Sequence, residues 1–241
     1  IGSSFDVRQQ AQLSLNNVHL SSFIGTTFIR SAINGFNGAK IFLDNSKITN
    51  NTAVSGGAIY LDNSYLRSRD SVFSHNVALE RGGAIYATHK SVVTDNHSTY
   101  SENEAKNAGG AAFFYGGYLN ATRSSYKHNI ARNSGGALSF NSSEKVEAVM
   151  LDVEIAANTA NSGGAFAAVG PVQLLFDKVR VQKNLAKSGC GGGVCLESSR
   201  TGSPDLHGAN YGLVISENEA LGVGGGGICL RGVDLSRTNL T

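Results

Sequence analysis

The sequence predicts an all-β chain wound as a right-handed, single-stranded parallel β-helix of about 7–9 coils of roughly 26 residues. Three observations carry this. One phrase recurs along almost the whole chain, the apolar stretches within it are short and alternate, and no segment shows helical periodicity.

The clearest copy of the phrase runs from Phe73 to Ala87. An apolar residue is followed three positions later by Asn and two after that by Ala. A polar stretch then leads to Gly-Gly, a small residue and an apolar run. Seven copies pair Ile48/Asn51, Phe73/Asn76, Tyr100/Asn103, Tyr126/Asn129, Ile155/Asn158, Val181/Asn184 and Ile215/Asn218. The glycine pairs begin at Gly56, Gly82, Gly109, Gly135, Gly163, Gly191 and Gly225, in steps of 26, 27, 26, 28, 28 and 34 residues. A period of this size is the mark of a stacked solenoid, in which each unit buries its apolar face only against its neighbours.

Each unit supplies its own strands. In Ala58-Ile59-Tyr60-Leu61 the alternation puts Ile59 and Leu61 on one face, and the aligned pairs in later copies are apolar throughout. A second strand precedes each Asn, as in Ser71-Val72-Phe73, and a third fits near Leu66 or Val92-Val93. The Gly-Gly pairs break any helix. Three strands and three turns per coil, stacked at about 4.8 Å, give a rod about 40 Å long, and right-handed crossovers set its hand. In this geometry Asn51, Asn76, Asn103, Asn129, Asn158, Asn184 and Asn218 form a buried structural ladder. Their amides bond to one another and to turn backbone, and Asn accommodates the left-handed corner. Glycine allows a positive φ and close passage between coils.

Taken in order, the chain is a single domain, 1–241. Residues 1–35 read as a degenerate first coil, 36–231 as the repeats and 232–241 as a terminal strand. Phe28 to Ser31 reads as a decayed Asn phrase. Gly38 to Ile48 matches Gly56 to Leu66 at a step of 18, which predicts a short early coil with Asp44 stacked on Asp62. The long step near the end places extra residues in Glu197 to Tyr211, the kind of insertion that projects as a loop. Neither end shows a capping helix. Open coil ends are unpaired edges, so end-to-end stacking into a homo-oligomer or filament is the expected self-association, unless caps lie outside this segment.

Composition excludes several classes. Glycine is abundant at 30 residues while proline numbers 2, unlike collagen or a proline-rich linker. A net charge of +2 gives no basis for nucleic acid as a partner, and no apolar run reaches the ~18 residues of a membrane span. With no initiator Met or signal-like start, the sequence reads as a mature protein or an excised segment. Asn-x-Ser/Thr acceptors for N-glycosylation occur at Asn50, Asn96, Asn120, Asn141 and Asn239. None is a repeat Asn, which fits repeat Asn facing inward and acceptors lying between repeats.

Catalytic and metal chemistry have little support. Asp44 and Asp62 could serve a retaining glycosidase or hold a cation, but Leu-Asp-Asn-Ser is also an ordinary turn sequence, and no further acid stacks on the pair. Parallel β-helices include enzymes that cut acidic polysaccharides, so that reading stays as an alternative. His75 and His128 each precede a ladder Asn but lie two coils apart, so no metal site is expected, and no cofactor either. No Ser or Cys nucleophile motif is present, hence no catalytic residue is assigned. Tyr60, Tyr86 and Phe113 fall at one aligned position in consecutive coils and form a candidate binding stripe for sugar rings or a protein. Cys195 and Cys229 align on neighbouring coils within disulfide range. Cys190 could instead pair locally with Cys195, or thiols could stay free.

The phrase resembles that of the polymorphic outer membrane proteins of Chlamydiae, whose repeats carry Phe-x-x-Asn and Gly-Gly-Ala-Ile. Here Phe73-Ser74-His75-Asn76 with Gly82-Gly83-Ala84-Ile85 fits both halves, and Gly56-Gly57-Ala58-Ile59 fits the second. Over roughly residues 36 to 231 the resemblance implies a secreted β-helix, extracellular or on the cell surface, used in adhesion to a host or matrix protein or a glycan. A surface setting favours the Cys195–Cys229 disulfide. The expected function is a non-enzymatic structural or adhesive rod. The alternatives are a polysaccharide-active enzyme and a carbohydrate-binding module.

Overall fold

A computed structural model of the chain describes residues 4–27, 30–208, 212–222 and 224–233. Every described strand is part of one solenoid of parallel pairs, and no α-helix is assigned among the described residues. No helix there is long and apolar enough to cross a membrane. The strands form four sheets, here A to D in the order the chain visits them after each glycine pair. Seven successive turns, from Ile33–Phe36 through Glu219–Ala220, contribute a strand to all four. The chain therefore has one strand per coil more than the sequence predicts. The extra one is the two-residue strand carrying the invariant Ala, which is too short to show any alternation.

Sheet A follows the glycine pairs, as at Ile59–Asp62, Ile85–Thr88 and Ala112–Tyr115. Its inward residues stack in register, Ile59 on Ile85 on Ala112 and Leu61 on Ala87 on Phe114. Sheet B, at Tyr65–Arg69, Val92–Asn96 and Gly117–Thr122, is the expected third strand. Sheet C precedes the ladder and buries the central side chain of Val72–Ser74, Thr99–Ser101 and Ser125–Lys127. Phe73, Tyr100 and Tyr126 stack there with ring centroids 4.7 Å apart. Sheet D puts Ala53, Ala78, Ala105, Ala131 and Ala160 inward, fully buried, where a larger residue would hold the coil open. The columns meet in one continuous core that occupies the rod's interior.

Asn51 to Asn218 run as an unbroken hydrogen-bonded series along this core. Each Nδ2 donates to the Oδ1 of the next Asn at 2.9–3.0 Å. That same oxygen accepts the backbone N–H of the preceding ladder Asn, for example Asn103 to Asn129 at 3.0 Å. The left-handed corner residue, however, is the one before each Asn: Asn50, His75, Glu102, His128, Ala157, Lys183 and Glu217 all have φ between 54° and 56°. Asn is thus fixed by its amide's bonding capacity and not by tolerance of positive φ.

The 18-residue match is coincidental in space. Lys40–Asp44 pairs with Tyr65–Arg69, so Asp44 lies beside Arg69 in sheet B, whereas Asp62 lies in sheet A between Phe36 and Thr88. The first complete coil is of ordinary length and the two carboxylates are not stacked. The terminal strand expected at 232–241 lies outside the described residues from 234 onward, as do Phe28 and Asn239. Part of the insertion at 197–211 continues sheet B as Asp205–Gly208, where Asp205 and Leu206 pair with Gln173 and Leu174.

Candidate functional site

The period-2 alternation of sheet B buries Leu66, Ser68, Val93 and Asp95 and leaves Tyr65, Arg67, Arg69, Thr94 and Asn96 facing out. Stacking adds Asn120 and Thr122 from the next coil. Arg67, Arg69, Thr94, Asn96, Asn120 and Thr122 line a shallow groove of about 300 Å³ on the outer face of the rod. Asp44 anchors its basic side: its carboxylate accepts from Arg67 at 3.0 Å and pairs with Arg69 at 2.9 Å. The Arg67 guanidinium also lies 4.8 Å from the centre of the Phe42 ring. Tyr65 Oη and Thr94 Oγ1 are 2.9 Å apart, and Arg123 donates to Asn96 Oδ1 at 3.3 Å. The groove therefore presents guanidinium, amide and hydroxyl groups beside aromatic rings, a set suited to hydrogen-bonding a polyol or a carboxylated sugar.

Beneath the groove lies a polar cluster in the core that periodicity cannot reveal, because Asp95 occupies an inward position held in neighbouring coils by Leu43, Ser68, Ala121 and Met150. Asp95 is 2% exposed. Burial pushes its carboxyl up to about 6, against the opposing pull of hydroxyls from Ser124, Ser98, Tyr100 and Tyr126. Tyr126 Oη donates to Oδ2 at 3.4 Å, while the hydroxyls facing Oδ1 and the Tyr100 hydroxyl stand outside ordinary hydrogen-bond geometry. Burial and the nearby Asp95 hold both phenols well above their ordinary range. The sign follows. A carboxyl raised on folding adds stability below its unfolded value near 4, and this is lost as pH rises through about 6. Urea unfolding at pH 4 and pH 7 should show Asp95→Asn removing about 2–3 kcal/mol of that acid-side stabilisation relative to wild type.

The other sequence-predicted positions fall as follows. Tyr60, Tyr86 and Phe113 do stack, with centroids 5.4 and 5.5 Å apart, but they form a covered cluster with Phe36 and Ala108, and Arg81 lies over Phe113. Tyr60 and Tyr86 are only 6% and 7% exposed, so no ring face is open to a sugar. Asn50 and Asn141 are exposed, and Asn96 and Asn120 are half-buried in the groove wall. The histidines are dispersed into separate surface pairs, His75 with Glu102, His89 with Asp62 and His97 with Asp70. The expected disulfide is corrected: Cys229 pairs with Cys190, and Cys195 is a buried free thiol. Register puts Cys195 opposite Cys229 but directs both side chains outward along parallel strands. Cys190, folded over that face from the corner, supplies the converging Cβ vector a disulfide needs.

A family comparison matches residues 45–62 and 70–88 to the Chlamydia polymorphic membrane protein repeat. Residues 45–62 and 70–88 thus carry the Pmp-type repeat. The matched segments hold Asn51 and the Gly56 pair in one case and Asn76 and the Gly82 pair in the other, the residues that build the ladder and the corners. The coils beyond them continue the same parallel strand register. Proteins of this family are outer-membrane surface proteins of Chlamydia. No curated protein and no solved structure matches the chain.

Proposed function

We propose that the chain is a surface-exposed, non-enzymatic β-helix rod whose adhesive face is the groove on sheet B. The observation that supports this is the division of labour between recurring and non-recurring residues. The recurring Asn, Gly and Ala are spent inside the solenoid on hydrogen bonds and close packing. The groove is built from residues found in one or two coils only: Arg67, Arg69, Asn96 and Asn120. A repeated scaffold with a locally varied outer face is how solenoids present binding surfaces.

A carbohydrate ligand for the groove is a second reading, favoured by the amide, hydroxyl and guanidinium lining beside Tyr65 and Phe42. Immobilised glycans and matrix proteins probed with the purified chain test both. Arg67→Ala with Arg69→Ala should weaken retention about tenfold or more, since charge-assisted hydrogen bonds contribute about 1.5–3 kcal/mol each. Retention unchanged by the double substitution rejects the groove as the adhesive face. Occupied sequons would act in the same direction, because a glycan on Asn96 or Asn120 fills the groove, and their removal should restore binding. End-to-end association into filaments belongs to the same proposal, and electron microscopy of the native material distinguishes it from single rods.

A further inference from the structure

All three cysteines of the chain meet at one place. Cys195 and Cys229 are register partners on the outer face of sheet A, in strands Val194–Glu197 and Ile228–Arg231. Cys190 precedes Gly191 and folds over that face from the corner. With Ala167 the three form a small apolar cluster separate from the main core. Their sulfurs lie within 4.8 Å of one another. Cys190 is bonded to Cys229, and the free Cys195 Sγ sits 3.0 Å from Cys190 Sγ. Cys190 and Cys195 are buried, whereas Cys229 is half-buried on the last described strand.

Cys190 is therefore a hub within bonding reach of either neighbour. We propose that the cluster is a thiol–disulfide exchange site that delivers Cys229 as a reactive surface thiol toward low-molecular-weight disulfides. The Cys195 thiolate attacks Cys190 Sγ. The Cys190–Cys195 bond forms and the Cys190–Cys229 bond breaks, and its electron pair leaves on Cys229. Cys195 gives up its proton to solvent and Cys229 leaves as the thiolate, so this exchange is redox-neutral, and the proton is taken up at the end by the thiolate released from the external disulfide. The Cys229 thiolate then attacks an external disulfide, forming a mixed disulfide and releasing one thiolate. Burial pushes the Cys195 thiol up, with Arg231 pulling it down and Glu197 pushing it up less strongly, which keeps it a shielded reserve and not a surface nucleophile. The exchange also has a structural consequence. The Cys190–Cys229 pair staples two coils across a separation of 39 residues, whereas a Cys190–Cys195 pair closes a loop within one.

The test incubates the folded, reductant-free chain with oxidised glutathione and maps disulfides by mass spectrometry after acid quenching. The expected product carries glutathione on Cys229 together with a Cys190–Cys195 disulfide. Cys195→Ser, or Cys195→Ala should the serine variant not fold, should keep the Cys190–Cys229 disulfide and reduce the adduct to background. Cys229→Ser should pair Cys190 with Cys195. An adduct on Cys195 beside an intact Cys190–Cys229 disulfide overturns the proposal. So does an adduct on Cys229 that forms equally fast without Cys195, or no adduct on the wild-type chain. A parallel incubation of the reduced chain with zinc, followed by oxidised glutathione, overturns it if the three thiolates retain the metal and resist oxidation.

Discussion

Gly110→Ala is expected to abolish the native stack around the central coils, lowering stability by about 4–5 kcal/mol or preventing folding. The reason is distance. A Cβ at Gly110 would lie 2.0 Å from the carbonyl oxygen of Gly136 and 2.7 Å from the backbone nitrogen of Ile130. Both obstacles are backbone, held in place by Gly110 N–H donating to Gly135 O and Ile130 N–H to Asn103 O. Neither can swing aside as a side chain would. Relief requires spreading two coils, which breaks the parallel pairing on either side. The neighbouring Gly109 is needed on two counts, since it sits at φ +68° and a Cβ there would lie 2.3 Å from the Ala112 carbonyl oxygen. The informative control is Gly227→Ala. It occupies the position that holds Ala84 and Ala111 in earlier coils, and its Cβ would meet only Ile215 Cγ2 at 3.4 Å. That change should stay within about 1 kcal/mol. Urea unfolding followed by far-UV circular dichroism separates the two. A Gly110→Ala chain as stable as wild type would contradict the contact between coils.

Much of this scaffold is legible in the sequence because a solenoid repeats its physics. The Asn, Ala and Gly-Gly positions stand out since every coil imposes the same packing on them. Three kinds of feature escape for the opposite reason. The corner between sheets B and C carries its own ladder, in which Ser46, Ser71 and Ser98 each donate a backbone N–H to the hydroxyl of the next coil's serine. It passes to Val153 and Val179 in later coils, and so leaves no unbroken signal. The left-handed corner before each Asn accepts Asn, His, Glu, Ala and Lys, so no single residue type marks it. Asp95 is hidden because an acid at an inward position looks like a surface residue until register is known.

The candidate site was least legible. Arg67, Arg69 and Asn120 are ordinary surface residues one by one. Only the register of Tyr65–Arg69, Val92–Asn96 and Gly117–Thr122 gathers them. Tyr60, Tyr86 and Phe113 err the other way. Their alignment is visible in the sequence, but the cover supplied by Phe36, Ala108 and Arg81 is not, because those residues come from neighbouring coils and corners. The cysteines show the same limit. Parallel register identifies Cys195 and Cys229 as neighbours, yet bonding depends on Cβ direction, which register does not determine.

Asn103→Ala is expected to cost about 4 kcal/mol while leaving the outer surface unchanged. Asn103 Oδ1 accepts the backbone N–H and the side-chain amide of Asn76, both at 3.0 Å. Its Nδ2 donates to Phe73 O and to Asn129 Oδ1, both at 2.9 Å. Truncation leaves two buried groups without a partner, the Asn76 N–H and one Asn76 amide hydrogen, and takes from the Phe73 carbonyl the donor it has beyond its strand pairing. At about 1–3 kcal/mol for each unpaired buried group, the sum exceeds any loss of packing. Asn103→Asp should be as damaging at neutral pH, because a carboxylate cannot donate to Phe73 O and would face the Asn129 Oδ1 oxygen. Asn107→Ala is the control, for its side chain meets only Asn133 at the surface, at 2.9 Å, and should change stability by about 0.5 kcal/mol or less. Amide exchange would place the loss: protection should fall in the coils flanking Asn103 before it falls at either end, since each coil contacts only its neighbours. Were Asn103→Ala to leave stability intact yet abolish binding to a ligand, the ladder would be a site and not a scaffold, and the division between spent and available side chains on which the adhesive reading rests would fail.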